Sequence, residues 1–168
     1  GHTLISHTQL PGWVVKPMLP WERADLVEAL RRHVHEVVRH VRETAPGVVT
    51  TWDVVNEPLA DDGTLRKSVW SQVIGPDFLR IALHAARDAD PTARLVINEF
   101  DVDLPGPKSD ALVQLAADLR RQGAPLDGVG VQGHITTRSA RSRSDASRKF
   151  IAMSARMLDC SAPSSDAA

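Results

Sequence analysis

Four short runs of apolar residues divide the chain, at residues 3–6, 48–55, 95–97 and 129–131. Each is too short for a helix and rich in Val, Ile or Thr, so the pattern predicts four buried strands. Between them apolar residues recur at helical spacing. Residues 22–45 place Leu26, Leu30, Val34, Val37 and Val41 on one face, with Gly47 as a stop. Residues 76–89 open on Pro and Asp and carry Phe78, Leu79, Ala82, Leu83 and Ala86. Residues 109–122 begin with Ser109 as a candidate cap, continue through Leu112, Leu115, Ala116 and Leu119, and meet Gly123. Strands alternating with helices predict an α/β fold with a parallel sheet.

The strand exits carry the chemistry. The first strand runs into His7, the second into Asn56-Glu57, the third into Asn98-Glu99 and the fourth into Gln132-Gly133-His134. In a parallel sheet these exits share one edge, where active sites of α/β folds sit. One polar strand end carries no information. Four in succession, all built from His, Asn, Gln and Glu, point to a site.

Composition changes this picture only toward the C-terminus. The 168 residues carry a formal net charge of −1, and 42 % are hydrophobic, enough for a packed core. Residues 1–136 hold 14 basic and 18 acidic residues; residues 137–168 hold six and three, with many Ser and Ala. The expectation is a patterned domain over 1–136 and a disordered tail over 137–168. An Arg/Ser tract without interleaved aromatics fits a solvated tail better than a nucleic-acid site. No apolar run reaches the roughly 18 residues of a membrane span. A single Cys160 excludes an internal disulfide framework and a multi-cysteine metal site.

Three motifs compete for attention. Gly128-Val-Gly130-Val-Gln-Gly133 fits the spelling of a dinucleotide fingerprint. That motif needs glycines after a strand and before a helix, whereas these lie within a predicted strand, so they read as a closely packed Gly-rich strand. His35-Glu36-Val-Val-Arg-His40 falls one residue long of a zinc motif. Its histidines are about 500° apart around a helix and share no face. His33, His35 and His40 then read as solvent-side residues, and no metal is expected. Trp52-Asp-Val-Val-Asn56-Glu57-Pro58 delivers a carboxyl group at a strand exit beside a carboxamide. A carboxylic acid there can protonate a leaving oxygen, and the Asn can bind a sugar hydroxyl.

Taken together, these residues resemble glycoside hydrolase family 10, the endo-1,4-β-xylanases. The resemblance rests on five segments in order over about residues 1–136: Gly1-His2-Thr3-Leu4 through His7-Thr8-Gln9-Leu10-Pro11-Gly12-Trp13; Trp52 to Glu57; Arg66 to Ser68 with Trp70 and Ile74-Gly75; Asp90-Pro91 with Leu95 to Phe100; and Gly128 to His134. It implies part of a (β/α)₈ TIM barrel, strands three to six of eight, and retaining hydrolysis of xylan. It makes Glu57 the general acid/base and Asn56 a ligand of the sugar. His2 resembles a sugar-binding histidine, and His7 and Gln9 resemble binding or supporting partners. Asn98 resembles a further cleft residue, and Gln132 and His134 the pair that positions the nucleophile. No cofactor is implied. The expected ligand is xylan or its oligosaccharides, bound by a monomer, and the intact parent is expected to be secreted because xylan cannot enter a cell.

Three departures accompany the resemblance. Ser6 stands where the family usually has Trp, so one stacking platform is missing. Glu99 stands where the family usually has Asp and is not promoted to nucleophile. The family's nucleophile is a Glu on the seventh strand, yet the six Glu of this chain are 22, 28, 36, 43, 57 and 99. Retaining hydrolysis needs two carboxylates. The expectation is therefore a truncated xylanase, inactive alone, whose tail departs from family sequence through a frame shift near residue 137. The alternatives are a related β-glycanase and a non-catalytic carbohydrate-binding remnant. The second is disfavoured by a chain with no Tyr, four Trp and three Phe.

Overall fold

A computed structural model describes residues 1–134 of the chain. The four apolar runs all become strands: β1 His2–Ile5, β2 Thr51–Asn56, β3 Arg94–Phe100 and β4 Gly128–Gln132. They form one sheet in the order β1-β2-β3-β4, with every pairing parallel. Four helices punctuate them: α1 Gly12–Val15, α2 Arg23–Thr44, α3 Phe78–Ala89 and α4 Pro107–Arg121. Parallel strands in chain order with intervening helices form part of a (β/α)₈ barrel. The expected boundary at residue 136 and the tail 137–168 lie outside the described residues.

The core forms where α2 and α3 lie against the sheet. Leu26, Leu30, Val34 and Val38 of α2 and Phe78, Leu79, Ala82, Leu83 and Ala86 of α3 are buried, as are Leu4, Ile5, Val54, Val55, Leu95 and Ile97 of the strands. Burying a large aliphatic side chain contributes about 1.5–3 kcal/mol, so this layer fixes each strand exit in space. Strand β3 is buried from Leu95 to Asn98 and on through Glu99, as expected of a parallel strand covered on both faces.

Several boundaries differ from the expectation. The second strand begins at Thr51, because Val48 is 74 % exposed in the turn that follows α2. The inward face of α2 uses Val38, while Val37 and Val41 are only half-buried. Ser109 is not the N-cap of α4 but the third residue of its first turn. The helix starts two residues earlier, and the Ser109 hydroxyl accepts the Gly106 N–H at 2.8 Å. Two short elements were not anticipated: α1, and a π-helical turn at Trp70–Ile74. His33, His35 and His40 are all exposed on α2 as expected, and His33 also places its Nε2 3.0 Å from the Leu4 carbonyl. None of the described helices is long and apolar enough to cross a membrane.

The sheet's opposite end is closed by a buried acid. Asp90 Oδ1 accepts the Thr92 N–H at 2.9 Å, the Thr92 hydroxyl at 2.7 Å and the Ala93 N–H at 3.2 Å. Burial pushes its carboxyl upward, but the Thr92 and Ala93 hydrogen bonds and the Arg42 guanidinium outweigh this and hold it below the usual Asp value. Substituting Asp90→Ala orphans these donors and is expected to lower stability by about 1–3 kcal/mol. Urea unfolding at neutral pH measures this, and an unchanged midpoint would contradict the role.

Candidate active site

Register brings the strand exits side by side. In β2 and β3, Asn56 lies opposite Asn98; in β3 and β4, Asn98 lies opposite Gly130 and Phe100 opposite Gln132. The β2 register shifts between Asp53 and Val55, where β2 spends one more residue than β3. An irregularity of this kind re-aims the side chains that follow it, and Asn56 and Glu57 follow directly.

The polar side chains then join. Asn98 Nδ2 donates to Asn56 Oδ1 at 2.9 Å, and Gln132 Nε2 donates to the same oxygen at 3.2 Å. Gln132 Nε2 also donates to Glu57 Oε1 at 3.1 Å. Gln132 Oε1 lies 3.0 Å from His134 Nε2, which assigns that ring the tautomer with its proton on Nε2. The pattern is self-consistent only with these carboxamide orientations. Among the described residues, Asn56 Nδ2 and Glu57 Oε2 take no hydrogen bond in it. Gly130 makes room for it: a Cβ there would stand 2.6 Å from Asn98 Oδ1. The Gly-rich strand is thus closely packed at Gly130, whereas a Cβ on Gly128 would meet nothing nearer than 3.7 Å.

Glu57 sits in the left-handed region, at φ +56°. Such a conformation costs a non-glycine residue about 1–3 kcal/mol and persists only where neighbours hold it. Arg66 is one holder: its Nε donates to the Glu57 carbonyl at 3.0 Å and its Nη2 to the Leu59 carbonyl at 2.6 Å. The Glu57 N–H itself donates to the Asn98 carbonyl at 2.8 Å. Glu99 is another holder. It is fully buried; Oε2 accepts the Leu59 N–H at 3.0 Å and Oε1 accepts the Phe100 N–H at 3.1 Å. Lys108 Nζ lies 3.1 Å from Glu99 Oε1 and 3.3 Å from the centre of the Phe100 ring. Glu99 therefore anchors the loop that carries Glu57.

The other candidate residues are placed as follows. A cavity of about 540 Å³ is walled by His2, Thr3, Ser6, Gln9, Asn56 and Glu57 among others. His2 is exposed, with Nδ1 2.8 Å from Asp53 Oδ2, and Gln9 is exposed. Both face the cavity but stand outside the hydrogen-bonded cluster. Asn98 does not line the cavity: it is 9 % exposed and acts behind Asn56 rather than as a cleft residue. Gln132 contacts Glu57 itself. Arg66, Glu99 and Lys108 were not assigned to the site beforehand. Arg66 lay within a matching segment, but nothing in the spacing of Lys108 marks a buried cation. Among the described residues no three His, Cys, Asp or Glu side chains gather as a metal site.

His7 stands beside the Glu57 carboxyl, its Nδ1 3.9 Å from Oε2. Burial, then the Arg66 guanidinium, holds its imidazole below the ordinary value of 6.5; Glu57 and Glu99 pull the other way and Lys108 adds to the lowering. The unfolded chain therefore binds this proton more readily than the folded one. Stability is fully present above about pH 6.5 and declines as pH falls from there through the lowered folded value. Urea midpoints at pH 7.5 and 5.5 are expected to fall more for the wild type than for His7→Asn. Equal falls would contradict a neutral His7.

Comparison with known proteins agrees with this arrangement. The family model for glycosyl hydrolase family 10 matches residues 1–160. The chain is 42 % identical over 138 residues to endo-1,4-beta-xylanase B of Thermotoga neapolitana, covering 82 % of this chain and 38 % of that protein. It is 40 % identical over 135 residues to an endo-1,4-beta-xylanase of Agaricus bisporus, covering 80 % and 39 %. Among solved structures it is similar to xylanase 10B of Thermotoga petrophila in complex with xylobiose, with a TM-score of 0.84 and 36 % identity, over 94 % of this chain and 46 % of that one. The chain thus spans about two fifths of the length of these curated relatives. A sheet whose four exits converge on Asn56 and Glu57, matched along nearly its whole length by one family model, leaves a single assignment: the chain belongs to glycosyl hydrolase family 10.

Proposed function

We propose that this chain carries the acid/base half of a retaining endo-1,4-β-xylanase site. The observation that supports it is the carboxamide cluster behind the cavity wall, which occupies Glu57 Oε1, while among the described residues Oε2 accepts no hydrogen bond. In this reading Glu57 gives its proton to the glycosidic oxygen as the bond to the anomeric carbon breaks. Asn56 Oδ1 is already occupied by two N–H donors, so its Nδ2 is the atom left to donate to a sugar hydroxyl. His7 is the neighbour of Oε2, its Nδ1 3.9 Å away. The similarity to a xylanase crystallised with xylobiose supports a β-1,4-xylose chain as the ligand.

Completing the double displacement requires a second carboxylate about 5–5.5 Å away, to take the anomeric carbon. No Glu follows Glu99 in the sequence. Glu99 cannot serve, because it is fully buried and both oxygens hold backbone N–H groups. The 168-residue chain by itself therefore binds xylo-oligosaccharides without turning them over.

The test pairs calorimetric titration with xylobiose and a reducing-sugar assay on xylan. Binding with no sugar release is expected, and binding should survive in Glu57→Gln. Sustained release that Glu57→Gln abolishes would overturn the claim that these residues need a further carboxylate. Absence of any binding would overturn the assignment of the site. Running cello-oligosaccharides in parallel separates a xylanase site from a glucan site by which sugar binds more tightly.

A further inference from the structure

The buried cation near Glu99 touches more than a counter-charge requires. Lys108 is the second residue of α4, and only 6 % of its side chain is exposed. A cation in the first turn of a helix opposes the macrodipole, and a buried ammonium loses its hydration. Lys108 bears both penalties at a point where several groups meet. Its Nζ lies 3.1 Å from Glu99 Oε1, 3.7 Å from Oδ1 of the exposed Asp61 and 3.3 Å from the centre of the Phe100 ring. The Arg66 guanidinium lies 5.7 Å from the centre of that same ring. Cations within about 6 Å of a ring centre are attracted to its π face.

Residues 58–66 behave as one tab attached at Glu57. The Ala60 N–H donates to the Thr64 carbonyl at 2.8 Å, the Arg66 N–H donates to the Pro58 carbonyl at 2.7 Å, and Leu59 bridges to Leu65. The tip of the tab rests on the start of α4: a Cβ on Gly63, at φ +84°, would stand 2.9 Å from the Pro107 carbonyl oxygen. Each neighbour of Lys108 grips the tab at a different place. Asp61 belongs to it. Glu99 holds its Leu59 N–H. The Phe100 ring is shared with Arg66, which holds the Glu57 and Leu59 carbonyls.

We propose that Lys108 is a positioning residue for Glu57: by engaging Glu99, Asp61 and the Phe100 ring together it fixes the tab, and the tab holds Glu57 in its left-handed conformation. What the positioned carboxyl then does rests on the xylanase reading above. Charge balance alone would require only Glu99. The additional contacts with Asp61 and Phe100 tie α4 to the segment that begins at Glu57. A non-glycine residue keeps a left-handed φ only while its surroundings impose it, so loosening the tab lets Glu57 relax and carries its carboxyl away from Gln132.

The test compares the 168-residue chain with Lys108→Met and Phe100→Leu, each checked for folding by circular dichroism. The first reading is the Glu57 Cα and Cβ resonances in 13C NMR, assigned by their loss in Glu57→Gln, because these shifts report backbone conformation. The second is calorimetric titration with xylobiose. Lys108→Met should move both resonances away from their left-handed values and weaken xylobiose about tenfold in the folded protein. Phe100→Leu, which keeps the Lys108–Glu99 ion pair, should move them in the same direction by less. If Lys108→Met does not fold, Phe100→Leu decides. Lower stability with the Glu57 resonances in place would mean that Lys108 is only structural, and would overturn the proposal. Moved resonances with unchanged xylobiose affinity would support the positioning and count against Glu57 as a sugar contact. If the wild type binds no xylobiose, the xylanase reading falls and the resonances alone decide the positioning.

Discussion

Asn98 and Gln132 both donate to one oxygen, Asn56 Oδ1, and the rest of the site depends on that shared acceptor. With the oxygen doubly occupied, the orientation of the Asn56 carboxamide is set, and its amino group takes no part in the cluster. Gln132, held at one end by Asn56 and at the other by His134, spans to Glu57 Oε1. The five groups lie on, or one or two residues past, three strands. Their meeting requires the parallel register that sets Asn56 beside Asn98 and Asn98 beside Gly130. A one-residue slip would turn every one of these side chains to the other face of the sheet.

The backbone beneath Glu57 is strained, and the strain is distributed among charged neighbours. A left-handed Glu is retained because Arg66 takes the carbonyls of Glu57 and Leu59 while Glu99 takes the Leu59 N–H. Lys108 balances the charge of Glu99 in a pocket with almost no solvent. Removing one member of such a buried pair is far more damaging than never having built it. Two acidic residues in equivalent positions, each just past a run of apolar strand residues, thus have opposite fates. Glu57 faces the cavity; Glu99 is consumed by structure.

Much of this was legible in the sequence. The four strand runs, the three long helices and the polar strand exits were readable because burial imposes periods of two and 3.6 that the chain displays directly. Glu57 and Asn56 were readable because they follow such a run. Less visible was the division of labour among the exits. Asn98 looked like a cleft residue, but its part in the cluster depends on β2 and β3 register, and register is not written in local pattern. Lys108 and Arg66 act over long separations, through carbonyls and a ring that no spacing reveals. The inward turn of Val38 instead of Val37 is a rotation of one residue around α2, set by packing against α3 and the sheet.

The central claim is that Glu57 is presented to a sugar by the carboxamide cluster. It is tested most directly by a crystal structure of the 168-residue chain with xylobiose. The account predicts a sugar ring in the cavity, with Asn56 Nδ2 and Glu57 Oε2 within hydrogen-bond distance of its oxygens and Gln132 still on Oε1. A sugar bound elsewhere, or Glu57 turned out of the cavity with Gln132 released, would contradict it.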